Sequence, residues 1–158
     1  MPFSCNDLWS FASACYAQPG VEAACLELQA AGADVCLMLT GAWLECRGVR
    51  ISELHLDEVR HLSERWQNQV VVPLRELRQV WKQPAAGDAA LAQLRNQVKQ
   101  LELSAERTQL ERLQLASMNW PAGTATAYWL EQLHPELTLP AAALGTLRRA
   151  AAQLSAED

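Results

Sequence analysis

The stretch from Asp88 to about Met118 constrains the fold most, because its apolar residues recur at every third or fourth position. That spacing brings side chains to one face of an α-helix, and a helix of this length measures about 45 Å. The series runs through Leu91, Leu94, Val98, Leu101, Ala105, Thr108, Arg112 and Leu115, and a second stripe contains Leu103, Leu110 and Leu113. Two stripes predict a long helix that packs against more than one neighbour.

The preceding segment, 58–82, has the same periodicity and predicts the other half of an antiparallel helical hairpin with 88–118. Asp57 is the expected N-cap, and a short loop follows residue 82. Pro73 removes one backbone hydrogen bond, so it should kink this helix without ending it, because the apolar spacing resumes beyond it. Residues 70–72 are also compatible with a strand, which the helical spacing on both sides disfavours.

Further helices are predicted on either side of this hairpin. The segment 35–46 is almost entirely apolar, which is typical of a helix buried in the middle of a bundle, and its apolar run is too short to cross a membrane. Asn6 or Ser4 is expected to cap the first helix, and two more helices are expected over 124–134 and 140–154. The fold class is therefore predicted to be all-α, a bundle of about six or seven helices.

Composition and charge exclude several classes of function. The formal net charge of -5 disfavours nucleic-acid binding, which usually requires a basic surface. The N-terminus has no signal-peptide pattern, so we expect a cytoplasmic protein that does not interact with membranes. The five cysteines contain no C-x-x-C pair and are expected to be reduced thiols that pack as small apolar residues.

Two Glu-x-x-His motifs, Glu58–His61 and Glu131–His134, resemble the motifs of di-iron helical bundles. On a helical wheel, Glu58 and His61 fall away from the apolar face of their helix, and Glu131 also falls off the apolar face of its segment. We therefore expect these carboxylates and imidazoles to face water, reject the four residues as metal ligands, and expect neither a metal nor another cofactor. Motifs of nucleophilic catalysis and of nucleotide binding are not found in the sequence, which favours a protein without enzymatic activity.

Candidate partner-binding residues lie near the end of the first hairpin helix. Arg75, Arg78 and Lys82 share one side of that helix and predict a basic stripe, which suits an acidic partner. The alternative interpretation is an ordinary solvated face whose charges pair with nearby glutamates, including those of the long helix. Trp81 and Trp120 lie beside prolines near helix ends, where a partly exposed aromatic side chain often anchors an interface.

Several segments of the chain resemble a family of short proteobacterial proteins to which no function is assigned. The resembling residues include 7–12, 19–26, 32–37 and 66–75, and the similarity covers roughly the first 115 residues. The resemblance implies a bacterial protein and carries no reaction, ligand or catalytic residue. We accordingly expect one helical domain over 1–158, in which 1–118 is the part that resembles the family and 119–158 adds C-terminal helices.

The function expected from the sequence is binding of another protein, including self-association as a homodimer, because the long helix offers more apolar surface than a monomer of this size easily covers. A second interpretation is a binder of small apolar ligands, or an enzyme, with a cavity in the helical core near Met38 and Trp43. A third is nucleic-acid binding through the stripe that contains Arg75.

Overall fold

The computed structural model describes residues 7–124 and 126–156, and every regular element within them is helical, which confirms the all-α prediction. The elements in chain order are α1 (Leu8–Tyr16), α2 (Val21–Ala30), α3 (Val35–Cys46), α4 (Glu53–Trp66), a π-helical turn (Gln67–Val71), α5 (Val72–Val80), α6 (Lys82–Ala85), α7 (Ala89–Ser117), α8 (Trp129–Gln132) and α9 (Ala141–Ala156). The predicted caps Ser4 and Asn6 lie outside the described residues; Asp7 caps α1 by accepting from the Ser10 backbone N–H.

The central helix is α3, as predicted from its apolar composition. Its residues from Cys36 to Leu44 are all buried, and Asp34 caps its N-terminus by accepting from the Leu37 N–H. A methyl group added at Gly41 would lie 2.5 Å from Leu133 Cδ1, so the C-terminal segment packs directly on the α3 backbone. In the part of the chain that the structure describes, no helix combines the length and the apolar character that crossing a bilayer requires.

The predicted hairpin is present, but its first helix begins earlier than expected. Ser52, not Asp57, is the N-cap: its hydroxyl accepts from the His55 N–H, and α4 starts at Glu53. Both residue types are good caps. Ser52 is preferred because the additional turn also brings Leu56, which is 1% exposed, into the core beside Val59.

Pro73 does not end the helix, in agreement with the prediction, and the residues before it form a π-helical turn. The Val72 N–H donates to the Gln67 carbonyl, one residue further back than in an α-helix. This wider turn precedes a residue that has no N–H and whose ring would collide with a carbonyl four residues earlier. The strand considered for residues 70–72 is wrong, because these residues continue the helix.

Three contacts establish that the hairpin is antiparallel. The Trp66 indole N–H donates to the Ala105 carbonyl, while Arg78, further along the first arm, contacts Glu102 and accepts at its carbonyl from Arg95. Residue numbers therefore fall along α7 as they rise along α4 and α5. The arms are the predicted ones, with observed bounds of 53–80 and 89–117.

The C-terminal region departs most from the prediction. The helix expected over 124–134 is reduced to α8, four residues long, whereas the helix expected over 140–154 is confirmed as α9. Contacts with the end of α3 hold the intervening chain: Gly123 N–H donates to the Arg47 carbonyl at 3.0 Å, and the Glu45 carboxylate accepts from the Leu130 N–H at 2.9 Å. These tertiary hydrogen bonds override the modest helix propensity of the segment.

Three of the cysteines, Cys15, Cys25 and Cys36, are buried in the hydrophobic core as free thiols. Burial raises the pKa of Cys15 to about 12 and that of Cys25 to about 11, so both are protonated at neutral pH. A protonated, buried thiol behaves as a small apolar side chain. This is the behaviour expected from the sequence; Cys5 lies outside the described residues.

Candidate functional site

A cluster of polar side chains lies where α3, the π-helical turn and α7 meet. Besides capping α3, the Asp34 carboxylate accepts from the Gln67 side-chain amide at 3.3 Å and from the Gln109 side-chain amide at 2.7 Å. Gln67 also donates to the Gln109 side-chain oxygen at 2.8 Å. Burial raises the pKa of Asp34, although the hydrogen bonds from Gln109 and Leu37 counteract this effect. We call Asp34, Gln67 and Gln109 the polar junction.

His134 contacts the same junction. Its Nε2 accepts a hydrogen bond from the Asp34 backbone N–H at 3.1 Å, and its Nδ1 lies 3.1 Å from a carboxylate oxygen of Glu136. A ring that accepts at Nε2 donates from Nδ1, so these contacts define the tautomer. The side chain is 13% exposed. The expectation that this imidazole faces water is wrong, because His134 follows the end of α8 and a helical wheel does not apply to it.

The other three rejected metal ligands face away from the junction. Glu58 and His61 are exposed on α4, and the Glu131 carboxylate pairs with Arg148 at 2.7 Å. Over residues 7–124 and 126–156, no three His, Cys, Asp or Glu side chains form a group that could hold a metal ion.

The predicted basic stripe is largely neutralised by α7. Arg75 and Arg78 both bind the Glu102 carboxylate, with Nε–O distances of 3.1 Å and 2.5 Å, and Arg75 also reaches Glu106 at 3.4 Å. Burial by itself would raise the pKa of Glu102, but the hydrogen bonds from Arg78 and Arg75 outweigh it and lower that pKa. The interpretation as charges paired with the long helix therefore describes Arg75 and Arg78, while Lys82 is exposed.

The two tryptophans predicted at an interface differ from each other. Trp81 is partly exposed at the end of α5, as expected. Trp120 is buried: its ring stacks on His55 with centroids 3.8 Å apart, and it lies parallel to Trp129 at 6.0 Å. The expectation of a partly exposed Trp120 is wrong, because the chain after α7 folds back onto α4 and the ring is buried there.

Two cavities adjoin the polar junction and share Gln29, Asp34, Gln67 and Arg75 as lining residues. The first has a volume of about 640 Å³ and walls that are polar and apolar in equal measure, contributed by α4, the π-helical turn, α5 and the segments around Asp34 and His134. The second, about 450 Å³, is more apolar and lies between α1, α2, α3 and α7. Both volumes suit small molecules. Met38 and Trp43, which were considered as cavity walls, line neither and are packed in the core.

A row of exposed apolar side chains follows the outer side of α7. Leu94, Leu101 and Leu115 are 49%, 57% and 70% exposed, and with Thr108 they are spaced seven residues apart. We call these four residues the α7 stripe. In the apolar series predicted from the sequence, these residues alternate with others that are buried against the rest of the protein, such as Val98 and Ala105. The long helix therefore exposes apolar side chains along one side.

A family model described as a protein of unknown function, DUF2390, matches residues 7–113, from the start of α1 to the last turns of α7. The chain belongs to this family. No curated protein and no solved structure matches it. The match includes the whole polar junction, the first arm of the hairpin and the second arm up to Leu113, and the DUF2390 family has no assigned activity.

The polar junction was missed from the sequence, although α7 carries a signal of it. Glu102 and Gln109 occupy buried positions in the same three-or-four-residue series as Val98, Ala105 and Leu113. A buried polar side chain requires a hydrogen-bonding partner, so this placement indicates a polar contact between helices. The partners Asp34 and Gln67 come from distant parts of the chain and could not be identified from spacing.

Proposed function

We propose that this protein acts through protein–protein interaction, by pairing with a second copy of itself along the α7 stripe. The observation that supports this proposal best is the exposure of leucines at seven-residue spacing on a helix that also has a buried face. A seam between two helices repeats every seven residues, and the stripe keeps this period at one of the two positions that such a seam uses. The polar junction and the neutralised Arg75 and Arg78 offer less to a protein partner, because their hydrogen bonds and charges are satisfied internally.

The symmetry of the stripe favours a second copy over a different partner. An isologous contact places the same surface on both subunits. If two α7 helices cross in antiparallel orientation between Ser104 and Ala105, Leu94 of one copy lies opposite Leu115 of the other, and Leu101 lies opposite Thr108. The outermost leucines are then paired with each other.

The distribution of charge on α7 supports the same partner. Two copies of a chain with a net charge of -5 repel each other, so a contact surface without unpaired charge favours their association. On the side of α7 that carries the stripe, the exposed residues up to position 104 are uncharged, namely Ala90, Gln93, Leu94, Gln97, Gln100, Leu101 and Ser104. Beyond that position the exposed charges are balanced within the protein: Arg107 pairs with Glu111, and Arg112 lies over the Trp66 ring. Depletion of charge is the compositional mark of an interface core.

The test is the mass of the protein in solution as a function of concentration. A single seam between two helices is a small interface, so we expect a weak dimer that sedimentation equilibrium detects between about 5 and about 500 µM. Leu101→Glu places two carboxylates close to the centre of the contact and should shift the chain to a monomer over this whole range.

The matched control is Leu54→Glu, on α4, where the leucine is 76% exposed and does not belong to the stripe. This variant should dimerise like the parent. A parent that stays monomeric at the highest concentration, or a Leu101→Glu variant that dimerises as well as Leu54→Glu, would contradict the proposal.

The alternatives from the sequence have less support. Nucleic-acid binding through Arg75 and Arg78 lacks a positive surface, because Glu102 and Glu106 bind both guanidinium groups. An apolar ligand near Met38 has less support, because Met38 is buried in the core and lines neither of the two cavities beside the polar junction. The cytoplasmic location and the absence of enzymatic activity remain predictions of the sequence.

A further inference from the structure

The 450 Å³ cavity between α1, α2, α3 and α7 is mostly apolar and opens to solvent. Its lining includes buried side chains of the hydrophobic core, such as Cys36, Leu39 and Leu110. Leu26 and Leu103 also line it, and both of these leucines are exposed. Because its walls run from the core to exposed leucines, a small molecule with an apolar body can enter this cavity and be partly buried there.

Glu106 brings an unused hydrogen-bond acceptor to this cavity. Its Oε1 lies 3.4 Å from Arg75 Nη2, whereas its Oε2 makes no hydrogen bond within the described residues. The side chain is 29% exposed, and Oε2 is accessible to solvent. Burial raises the pKa of Glu106, so a donor that binds Oε2 would stabilise the charged carboxylate. This oxygen is therefore free to accept from a bound molecule.

Gln29 adds a second available polar group to the same cavity. Its side chain is half-buried, and its amide forms no hydrogen bond with the part of the chain that the structure describes. A side-chain amide can both donate and accept. The Asp34 carboxylate offers less, because it already accepts from the Leu37 N–H and from the amides of Gln67 and Gln109. Glu106 and Gln29 together suit a group that donates one hydrogen bond and accepts another.

The charges around these two groups are already balanced, which favours an uncharged ligand. Two guanidinium groups face two carboxylates in the ion pairs of Arg75 and Arg78 with Glu102 and Glu106. Asp34 caps α3, whose N-terminus has a partial positive charge. An anionic ligand would face Asp34 and Glu106, and a cationic ligand would compete with Arg75 for Glu106. A hydroxyl group donates and accepts without adding charge.

We infer that this cavity binds an uncharged ring compound that carries a hydroxyl group, such as a phenol. The hydroxyl donates to Glu106 Oε2 and accepts from the Gln29 side-chain amide. Trp9 and Tyr16 line the cavity as well, and aromatic side chains favour contact with a ring. The site goes beyond the proposed self-association, because no residue of the α7 stripe lines this cavity.

The test is a titration of the full chain with 2-naphthol up to about 1 mM, followed by the NMR shifts of the Trp9 indole N–H and the Gln29 side-chain amide. 2-Naphthol should bind and shift both signals. 2-Naphthoate, which carries a carboxylate in place of the hydroxyl, and 2-naphthylmethylamine, which carries an ammonium group, should each bind at least about tenfold more weakly. A smaller preference over either charged compound, or the absence of a shift with 2-naphthol, would overturn the inference.

Glu106→Leu should weaken the binding of 2-naphthol by about tenfold, since a hydrogen bond to a charged group is lost. It should leave the binding of naphthalene, which has no hydroxyl, unchanged, and naphthalene thus reports whether the cavity is intact. Glu58→Leu, which removes an exposed carboxylate of α4, is the control and should bind both compounds like the parent.

Gln29→Leu is a second variant that has no internal hydrogen bond to lose, so it should fold normally. It should weaken the binding of 2-naphthol by about threefold and leave that of naphthalene unchanged. The inference fails unless at least one of Glu106→Leu and Gln29→Leu loses affinity for 2-naphthol, relative to Glu58→Leu, without losing affinity for naphthalene.

Discussion

Gly48→Ala should lower the free energy of unfolding by about 4 kcal/mol, from backbone strain and a steric collision together. Gly48 ends α3 with φ at +62°, a conformation that costs other L-residues about 1–2 kcal/mol. The added methyl carbon would also lie 1.9 Å from the Gly123 carbonyl oxygen. The chain that returns from α7 would have to move away from α3 and lose the hydrogen bond between Gly123 and Arg47.

Thermal and urea denaturation of the purified variant measure this effect, and the melting temperature should fall by roughly 10 °C. Gly87→Ala is the control, because its methyl group would meet nothing within 4 Å and its φ is not positive. That variant should be unchanged or stabilised by about 0.5 kcal/mol. Equal stability of the two variants would show that the segment around Gly123 does not dock on α3 as described.

Glu102→Gln should destabilise the fold by about 2–3 kcal/mol, although the two side chains have nearly the same size. The carboxylate is 7% exposed and binds two arginines, so its replacement leaves two guanidinium groups at the hairpin with less negative charge. The comparison is Glu111→Gln, which removes an exposed ion pair with Arg107 on the same helix and should cost less than about 0.5 kcal/mol.

The difference in the free energy of unfolding between the parent and Glu102→Gln should also depend on pH. The pKa of Glu102 is lower in the folded protein than its ordinary value, so its charge stabilises the fold at neutral pH. This contribution is lost as the pH falls through the lowered pKa and the parent itself becomes protonated. Urea denaturation should show a smaller difference in the free energy of unfolding between the two proteins at acidic pH than at neutral pH. A difference that stays constant, or that is larger in acid, would contradict the ion-pair assignment.

The sequence predicted the elements whose signal is local. The buried α3, the antiparallel hairpin and α9 follow from spacing and composition, because one face or the whole surface of each helix is apolar. Where tertiary contacts decide, prediction failed. Asp57 was predicted as the cap of the first hairpin helix, but Ser52 caps it, and the chain before Trp129 is held by contacts with the end of α3 that no local pattern reveals.

The candidate site was predicted less well than the fold. The wheel placed Glu58 and His61 outside correctly because they lie within a regular helix, whereas the expectation that the His134 imidazole faces water was wrong because His134 follows the end of α8. Trp120 was expected to be partly exposed because it lies near a helix end beside a proline. Only the return of the chain onto α4 shows that His55 and Trp129 lie against its ring. Ion pairs between helices, such as the pair of Arg78 with Glu102, cannot be predicted without knowing the register between the two arms of the hairpin.

The central claim, that two copies pair along the α7 stripe, is tested most directly by a symmetric cross-link. A cysteine that replaces Ser104 lies beside the two-fold axis, whereas one that replaces Gln93, on the same exposed side, lies about 34 Å from its counterpart at 1.5 Å per residue. Mild oxidation should convert Ser104→Cys to a covalent dimer above the background of the parent chain, and should leave Gln93→Cys at that background. Absence of a covalent dimer for Ser104→Cys, or an equal yield for both variants, would contradict the account.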